Sequence, residues 1–441
     1  MTAARTKGFS FGNGTRVFRH RNYRLWFTGQ VVSLVGTWMQ QVAQGWLVLL
    51  LTNDPFLLGV VVAAQFLPVL VLGLFGGIVA DVLPKRRTMM ATQTSQMILA
   101  FVLFGLVVTD LVELWHIIVL ASLLGTVNAV DMPVRQSFTV EMVGREDVPA
   151  AIGINSATFN GARVIGPAVA GLVIGAFDIS IAFLINGLSF LAVIVAFSAM
   201  RDSEMHLMPT LDRPRSIAAV RESLADGLGY VRRSEVVLLA TVVVGLVSMF
   251  GMNFSVLIPA FARDVLGTDA SGFGFLMAAS GVGSLLAALT IAFSGRSQIA
   301  MIGIGAMILG IAEIVAAGLN LYPVALLAMA FVGFGAISMG ATGNTAIQLH
   351  VPDELRGRVM SVYTTVFVGA TPIGGLIMGG VASRFGVDVA LALGGAVSAV
   401  VGGIAWYRLR RIRERRVLAR QVASAAPAGV SPGPAEPTAR P

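Results

Sequence analysis

The chain contains no cysteine, which excludes disulfides, thiolate nucleophiles and sulfur-ligated metals. Charge is scarce as well: 12% of the 441 residues are Asp, Glu, Lys or Arg, against roughly 25% in soluble domains. The four histidines, His20, His116, His206 and His350, lie far apart and show no HExxH spacing, so no protein-bound metal is expected. No GxxxxGK[ST] phosphate loop is present, so ATP is not expected to supply energy directly. Neither GxSxG nor a paired-carboxylate constellation occurs, and the chain is not expected to be an enzyme. No cleavable signal peptide is expected either, since residues 1–24 are polar and basic and the apolar run after them is too long for a signal core.

What the chain has instead is apolar surface: 56% of its residues are hydrophobic, and the mean hydropathy is +0.82. One soluble core cannot absorb this, whereas a bilayer can solvate it around many helices. Twelve spans of about 23 residues take roughly 276 positions and leave about 165 for tails, turns and one central loop. The apolar runs fall near 25–51, 57–80, 88–110, 115–140, 148–176 and 180–199, and again near 236–262, 271–294, 298–319, 322–349, 358–383 and 388–407. The expected fold is therefore all-α: a polytopic membrane protein of 12 helices in two six-helix bundles. Its segments are a cytoplasmic tail at 1–24, bundles at 25–199 and 236–407, a cytoplasmic central loop at 200–235, and a basic, largely disordered cytoplasmic tail at 408–441.

The basic residues set the expected orientation. With the N-terminus cytoplasmic, only Arg263 and Arg384 face outside and Arg163 lies within a helix, leaving 28 of the 31 Lys and Arg residues inside. The net charge of +8 is then a topology signal in a cell-membrane protein, and no nucleic-acid partner is expected. A weak internal repeat relates the two halves. The loop around Val148 aligns with the loop around Leu355 at an offset of 207, and Gly166 and Gly171 align with Gly374 and Gly379 at 208. Parallel six-helix halves of this kind form a transporter architecture with a site near the midplane between them.

Charges inside the membrane are costly and tend to face a cavity or a partner. Asp131 and Arg135 stand four apart on helix 4, the spacing at which they can pair. Arg163 on helix 5 has no acid nearby in sequence, so Asp131 is expected either to change partner between Arg135 and Arg163 or to take a proton; simple mutual neutralisation is the alternative. Glu313 in helix 9 has two open readings, coupling or a lipid-facing polar contact. Helix 1 carries Gln30, Ser33, Thr37, Gln41 and Gln44 at helical spacing beside Trp38, Gln40 and Trp46, a stripe fit for an aqueous path or for interhelical hydrogen bonds. Met249 and Asn253 on helix 7, with Met339 and Asn344 on helix 10, add pliable and polar groups. Thr37, Trp38, Gln41, Gln44, Met249, Asn253, Met339 and Asn344 are thus the expected substrate cavity.

Two motifs carry a family resemblance. At the end of helix 2, Gly77 and Asp81 precede Lys85, Arg86 and Arg87, which resembles the G-x-x-x-D-R-x-G-R-R/K loop of the major facilitator superfamily; Val82 and Pro84 stand where that pattern has Arg and Gly. In helix 5, Gly153, Ala162, Gly166, Pro167 and Gly171 resemble the GPxxGG motif of proton-coupled exporters, with Ala162 and Ala170 replacing two glycines. Longer stretches, among them 18–26, 131–138, 162–167, 257–267 and 352–358, are similar to the branch holding enterobactin exporters and macrolide-type efflux proteins. The resemblance implies export of a small amphipathic molecule by proton antiport, with Asp81, Arg86, Gly166, Pro167 and Gly171 in conformational switching. It also implies a monomer in the bilayer, with a proton gradient and no cofactor. Uptake or uniport remains an alternative, as does a non-transporting sensor. An anionic cargo would favour Arg163 facing the cavity; a cationic drug would favour a free Asp131.

Overall fold

The computed structural model describes residues 15–206, 217–294 and 299–425. The first half comprises α1 (Arg21–Thr52), α2 (Pro55–Val82), α3 (Lys85–Val108), a helical segment Leu114–Ala176, and α6 (Ile179–Ser198). Leu114–Ala176 is two helices, α4 (114–143) and α5 (145–176), broken at Gly144, whose φ of 70° is a left-handed value that suits glycine. Next comes α7 (Ile217–Arg233), followed by α8 (Glu235–Phe250) and α9 (Phe254–Ala260), which ends in a π turn at Phe261–Val265. The second half is completed by α10 (Ala270–Ser294), α11 (Met301–Leu319), α12 (Tyr322–His350), α13 (Asp353–Phe385) and α14 (Val387–Ala425).

Ten segments of the described chain are long and apolar enough to cross a bilayer. One of these, Leu114–Ala176, counts twice because of its break. The 32-residue α1 adds a further span, which its glutamines make more polar than the rest. The result is an all-α polytopic membrane protein of twelve spans.

Packing repeats between the halves. In the first, α1 lies on α5 and α6, α2 on α4, and α3 on α4 and α6. In the second, α8 lies on α13 and α14, α10 on α12, and α11 on α12 and α14. The halves meet along two seams, α2 with α13 and α5 with α10. Without lipid-driven attraction between apolar helices, such seams need small residues that let backbones approach. Gly59 faces Gly375 across one seam, and Gly171 faces Gly274 across the other.

Three differences from the sequence reading concern helix limits. The region read as a central loop holds α7, because an apolar face formed by Leu224, Tyr230 and Val231 packs on the second half while Asp226 pairs with Arg358. The region read as a disordered tail begins with the end of α14, which continues to Ala425. There Arg410 pairs with Glu414 at 2.9 Å, and Arg410 and Arg411 lie over Trp406 and Tyr407, all at helical spacing. Helix 7, read as continuous, breaks at Gly251–Asn253, where Asn253 Nδ2 donates to the Met249 carbonyl at 2.8 Å.

Candidate functional site

Asp131 sits on α4 with 1% of its surface exposed. Its Oδ2 accepts from Arg135 Nε at 3.0 Å and from a second guanidinium nitrogen, and its Oδ1 accepts from Thr92 Oγ1 at 2.7 Å and Gln93 Nε2 at 2.9 Å. The helical spacing of four brings the cation to the acid, and α3 supplies the remaining donors. A carboxylate so supplied is tolerable at membrane depth. One turn further along the same helix pair, Gln96 Nε2 donates to Asn128 Oδ1 at 3.0 Å. Thr92 and Gln93 were missed in the sequence reading; the signal was a cluster of polar residues, Thr92, Gln93 and Gln96, in an otherwise apolar helix.

Arg135 also lines a cavity between α1, α4 and α5, with Trp26, Phe27, Gln30, Asn155 and Phe159. Arg163 on α5 does not line this cavity. Its guanidinium carbon stands 5.8 Å from the centre of the Trp38 ring, and that ring meets Phe159 edge-on at 5.5 Å. No acidic side chain among the described residues pairs with Arg163. Asp131 and Arg163 therefore have separate partners in this conformation, Arg135 for one and Trp38 for the other.

Gly166 explains why α1 and α5 come this close. A side chain there would strike Trp38 Cβ and the Val35 carbonyl. One residue on, the Pro167 carbonyl lies against Gly274 of the second half, and Gly171 lies against Ser271. This short stretch thus packs α5 on its own half and on the other at once.

The remaining expected cavity residues disperse. Thr37 donates to the Ser33 carbonyl at 2.9 Å while staying exposed. Gln41 Nε2 crosses between the halves to Ser255 Oγ at 3.1 Å, whereas Gln40 accepts from Asn186 inside its own half at 2.6 Å. Gln44 and Met249 are half-buried; Asn253 is buried at the break in helix 7. Asn344 accepts from Gln348 one turn along α12. Met339 is fully buried, its backbone against Gly305 of α11, so in this conformation it offers no surface to a cavity. Glu313 differs from the lipid-facing alternative: it is 2% exposed, it borders Gly395 of α14, and its Oε2 has no hydrogen-bond partner among the described residues.

At the end of the bundles that carries the termini, charges pair within each half. Arg86 donates to the Phe197 and Ser198 carbonyls at the end of α6 and pairs with Asp202 at 2.6 Å; Lys85 pairs with Glu141 at 2.6 Å. Asp147 at the α4–α5 corner receives Arg19 and His20, both at 2.8 Å. Gly77 and the side chain of Asp81 lie outside the described residues. Toward the opposite end, hydrogen bonds among the described residues join the halves: Gln41 to Ser255, Ser271 to the Gly171 carbonyl, and Arg263 to the Leu49 carbonyl. Among the described residues, no ion pair joins the halves at the termini end. These hydrogen bonds tie the halves together toward the far end.

Twelve spans in two repeated halves, with a buried ion pair in the first, belong to a transporter of the major facilitator superfamily rather than an enzyme. The model of one family within it, described as transmembrane secretion effector, matches residues 14–427, and the chain belongs to that family. It is similar to the staphyloferrin A transporter of Staphylococcus aureus, at 22% identity over 88% of this chain and 97% of that one. It is also similar to the multidrug efflux pump Tap of Mycolicibacterium fortuitum, at 28% identity over 85% of this chain and 92% of that one. Among solved structures, a peptide transporter matches with a TM-score of 0.70 and 16% identity, covering 92% of this chain and 96% of its own. The nucleoside transporter NupG matches at 0.69 and 14%, covering 88% and 99%. These structural likenesses show the fold.

Proposed function

We propose that the protein exports a small amphipathic organic molecule, of the drug or siderophore class, by proton antiport with alternating access, and that both termini are cytoplasmic. The observation that carries this reading is the hydrogen bonding of the halves toward the far end, with the buried Asp131–Arg135 pair bordering a cavity in the first half. The similarity to a multidrug efflux pump supports export, and together with the similarity to the staphyloferrin A transporter it supports a small organic cargo. In the proposed cycle Asp131 leaves Arg135, taking a proton or turning toward Arg163, as the halves rock about the glycine-lined seams.

The test uses purified protein in liposomes with an imposed pH gradient, recording lumenal pH as candidate molecules from several chemical classes are added. Substrate-triggered proton flux, absent from protein-free liposomes and lost in Asp131→Asn, is the expected result. Normal coupled transport by Asp131→Asn would contradict the coupling role. Substrate movement without proton flux would replace antiport by uniport.

A further inference from the structure

The orientation rule that gathers most cations at the termini end leaves two at the other, Arg263 and Arg384. Arg263 is accounted for within the fold: it pairs with Asp264 at 2.6 Å and donates to the Leu49 carbonyl at 3.0 Å across the halves. Arg384 is not. It is exposed near the end of α13, and among the described residues it has no ion pair or hydrogen bond, not even with Asp388 a few residues on.

Arg384 lines an open pocket of about 410 Å³ at the α2–α13 seam, together with Phe56 of α2 and Ile377, Gly380, Ser383 and Phe385 of α13. The pocket exists because the two helices part here. Further in, Gly59 and Gly375 bring the backbones together, whereas a side chain on Gly380 would meet only Phe56 Cδ2, at 3.7 Å. The volume falls in the range of roughly 300–1,000 Å³ found for small-molecule sites.

Its depth identifies what surrounds it. Between Arg358, which pairs with Asp226 at the termini end, and Arg384, α13 rises about 39 Å. This lies between the roughly 30 Å of a hydrocarbon core and the roughly 40–45 Å that includes the headgroups, so the pocket opens in the headgroup layer. Inward from it, Ile377 and Ile373 continue the face of α13 that carries Arg384, and both are exposed. A lone cation at headgroup level above an exposed apolar stripe matches a molecule with an anionic head and a hydrocarbon tail. Guanidinium grips phosphate through paired N–H donors, and Ser383 brings a hydroxyl to the same pocket. No acidic residue among those lining it would hold the cationic group of a zwitterionic headgroup.

We propose that this pocket binds one anionic phospholipid of the leaflet at the far end, with Arg384 on its phosphodiester and an acyl chain along Ile377 and Ile373. Because both halves line the pocket, a lipid seated there spans the α2–α13 seam. The site depends on neither the direction nor the coupling of transport.

The lack of cysteine permits a local test on the full-length protein in vesicles of mixed phosphatidylglycerol and phosphatidylcholine. A bimane fluorophore is attached to Ile373→Cys in the groove or to Leu188→Cys, an exposed position on α6, as a control surface. Quenching by phosphatidylglycerol with brominated chains is compared with quenching by brominated phosphatidylcholine at equal content. At Ile373→Cys the anionic lipid is expected to be preferred by at least about fivefold, and at Leu188→Cys by less than about twofold. Arg384→Gln should bring the preference in the groove below about twofold, and Arg384→Lys should keep part of it. Excess inorganic phosphate should leave it unchanged. No preference at Ile373→Cys, an equal preference at Leu188→Cys, or a preference that survives Arg384→Gln would overturn the proposal. Loss of the preference in inorganic phosphate would make the pocket a site for free anions and overturn the assignment to lipid.

Discussion

The two halves share one packing scheme and differ in what they bury. The first half holds Asp131, Arg135 and Arg163 within its spans, and it satisfies its acid with four donors from two helices. The second half holds Glu313, with one oxygen unsatisfied, between helices that meet at Gly310 and Gly395. Its contribution to the seams is small residues and a broken helix: Gly274, Gly375, and the interruption at Gly251–Asn253. Under the proposed cycle, this contrast makes the first half the one that would supply the coupling charge and the second the surface it would rock against. The corners at the termini end follow the same contrast. Asp147 of the first half gathers Arg16, Arg19 and His20 from the chain start, whereas the second half covers its corner with α7, through Tyr230 on the His350 carbonyl and Gly227 on Arg358.

The contrast is broken most directly at Asp131. Asp131→Asn keeps the shape and removes the charge; gradient-driven flux in liposomes is expected to fall by about a hundredfold or more, near 2.7 kcal/mol in rate terms. Retained flux would mean that the first half does not hold the coupling group.

A pair of substitutions sharpens the packing side. Gly166→Ala places a methyl group against Trp38 and the Val35 carbonyl, and is expected to lower stability by about 1–3 kcal/mol, read as a fall in melting temperature in detergent. Gly380→Ala in the second half meets its nearest atom, Phe56 Cδ2, at 3.7 Å, and should be close to neutral. Equal effects would show that the α1–α5 contact is not special.

Glu313→Gln addresses the other side of the comparison. An unpartnered carboxyl in an apolar seam has little to lose from this change, so transport is expected within about twofold of the parent chain and stability unchanged or higher. Loss of proton-coupled flux would move coupling into the second half. The smallest effect is expected from Gln41→Ala, which removes the hydrogen bond to Ser255 between the halves, a change of about 0.5–1.5 kcal/mol that favours opening of the far end. Transport rates measured in liposomes should change by only about two- to threefold.

The helices were legible because charges and turn residues bound each apolar run, and the pairing of Asp131 with Arg135 followed from their spacing. The polar partners on α3 were harder to see. Thr92 and Gln93 gain meaning only when α3 packs on α4, a contact set by tertiary structure. Gln30 stands out in the polar stripe of α1, but Trp26 looks like an ordinary member of that helix until Asn155 and Phe159 of α5 are seen to line the same cavity. The stripe of glutamines on α1 divides by helical face: Gln40 turns inward to Asn186 and Gln41 crosses to the second half. Met339 shows the opposite error, since pliability alone did not reveal that its turn of α12 packs on Gly305. The helix α7 went unread because its apolar face is short and interrupted by charges, one of which, Asp226, is satisfied only by Arg358 across the fold.

Alternating access is the claim on which the rest depends, and the absence of cysteine makes it directly measurable. Two doubly labelled chains are needed. One carries Arg145→Cys with Glu354→Cys at the termini end, and the other Leu111→Cys with Leu321→Cys at the far end, all four being exposed positions on opposite halves. Electron–electron double resonance in liposomes would then record both distances as pH is lowered and as a molecule that triggers proton flux in the transport test is added. The account predicts that the termini-end distance shortens as the far-end distance lengthens. Distances that stay fixed under every condition, or that grow and shrink together, would contradict it.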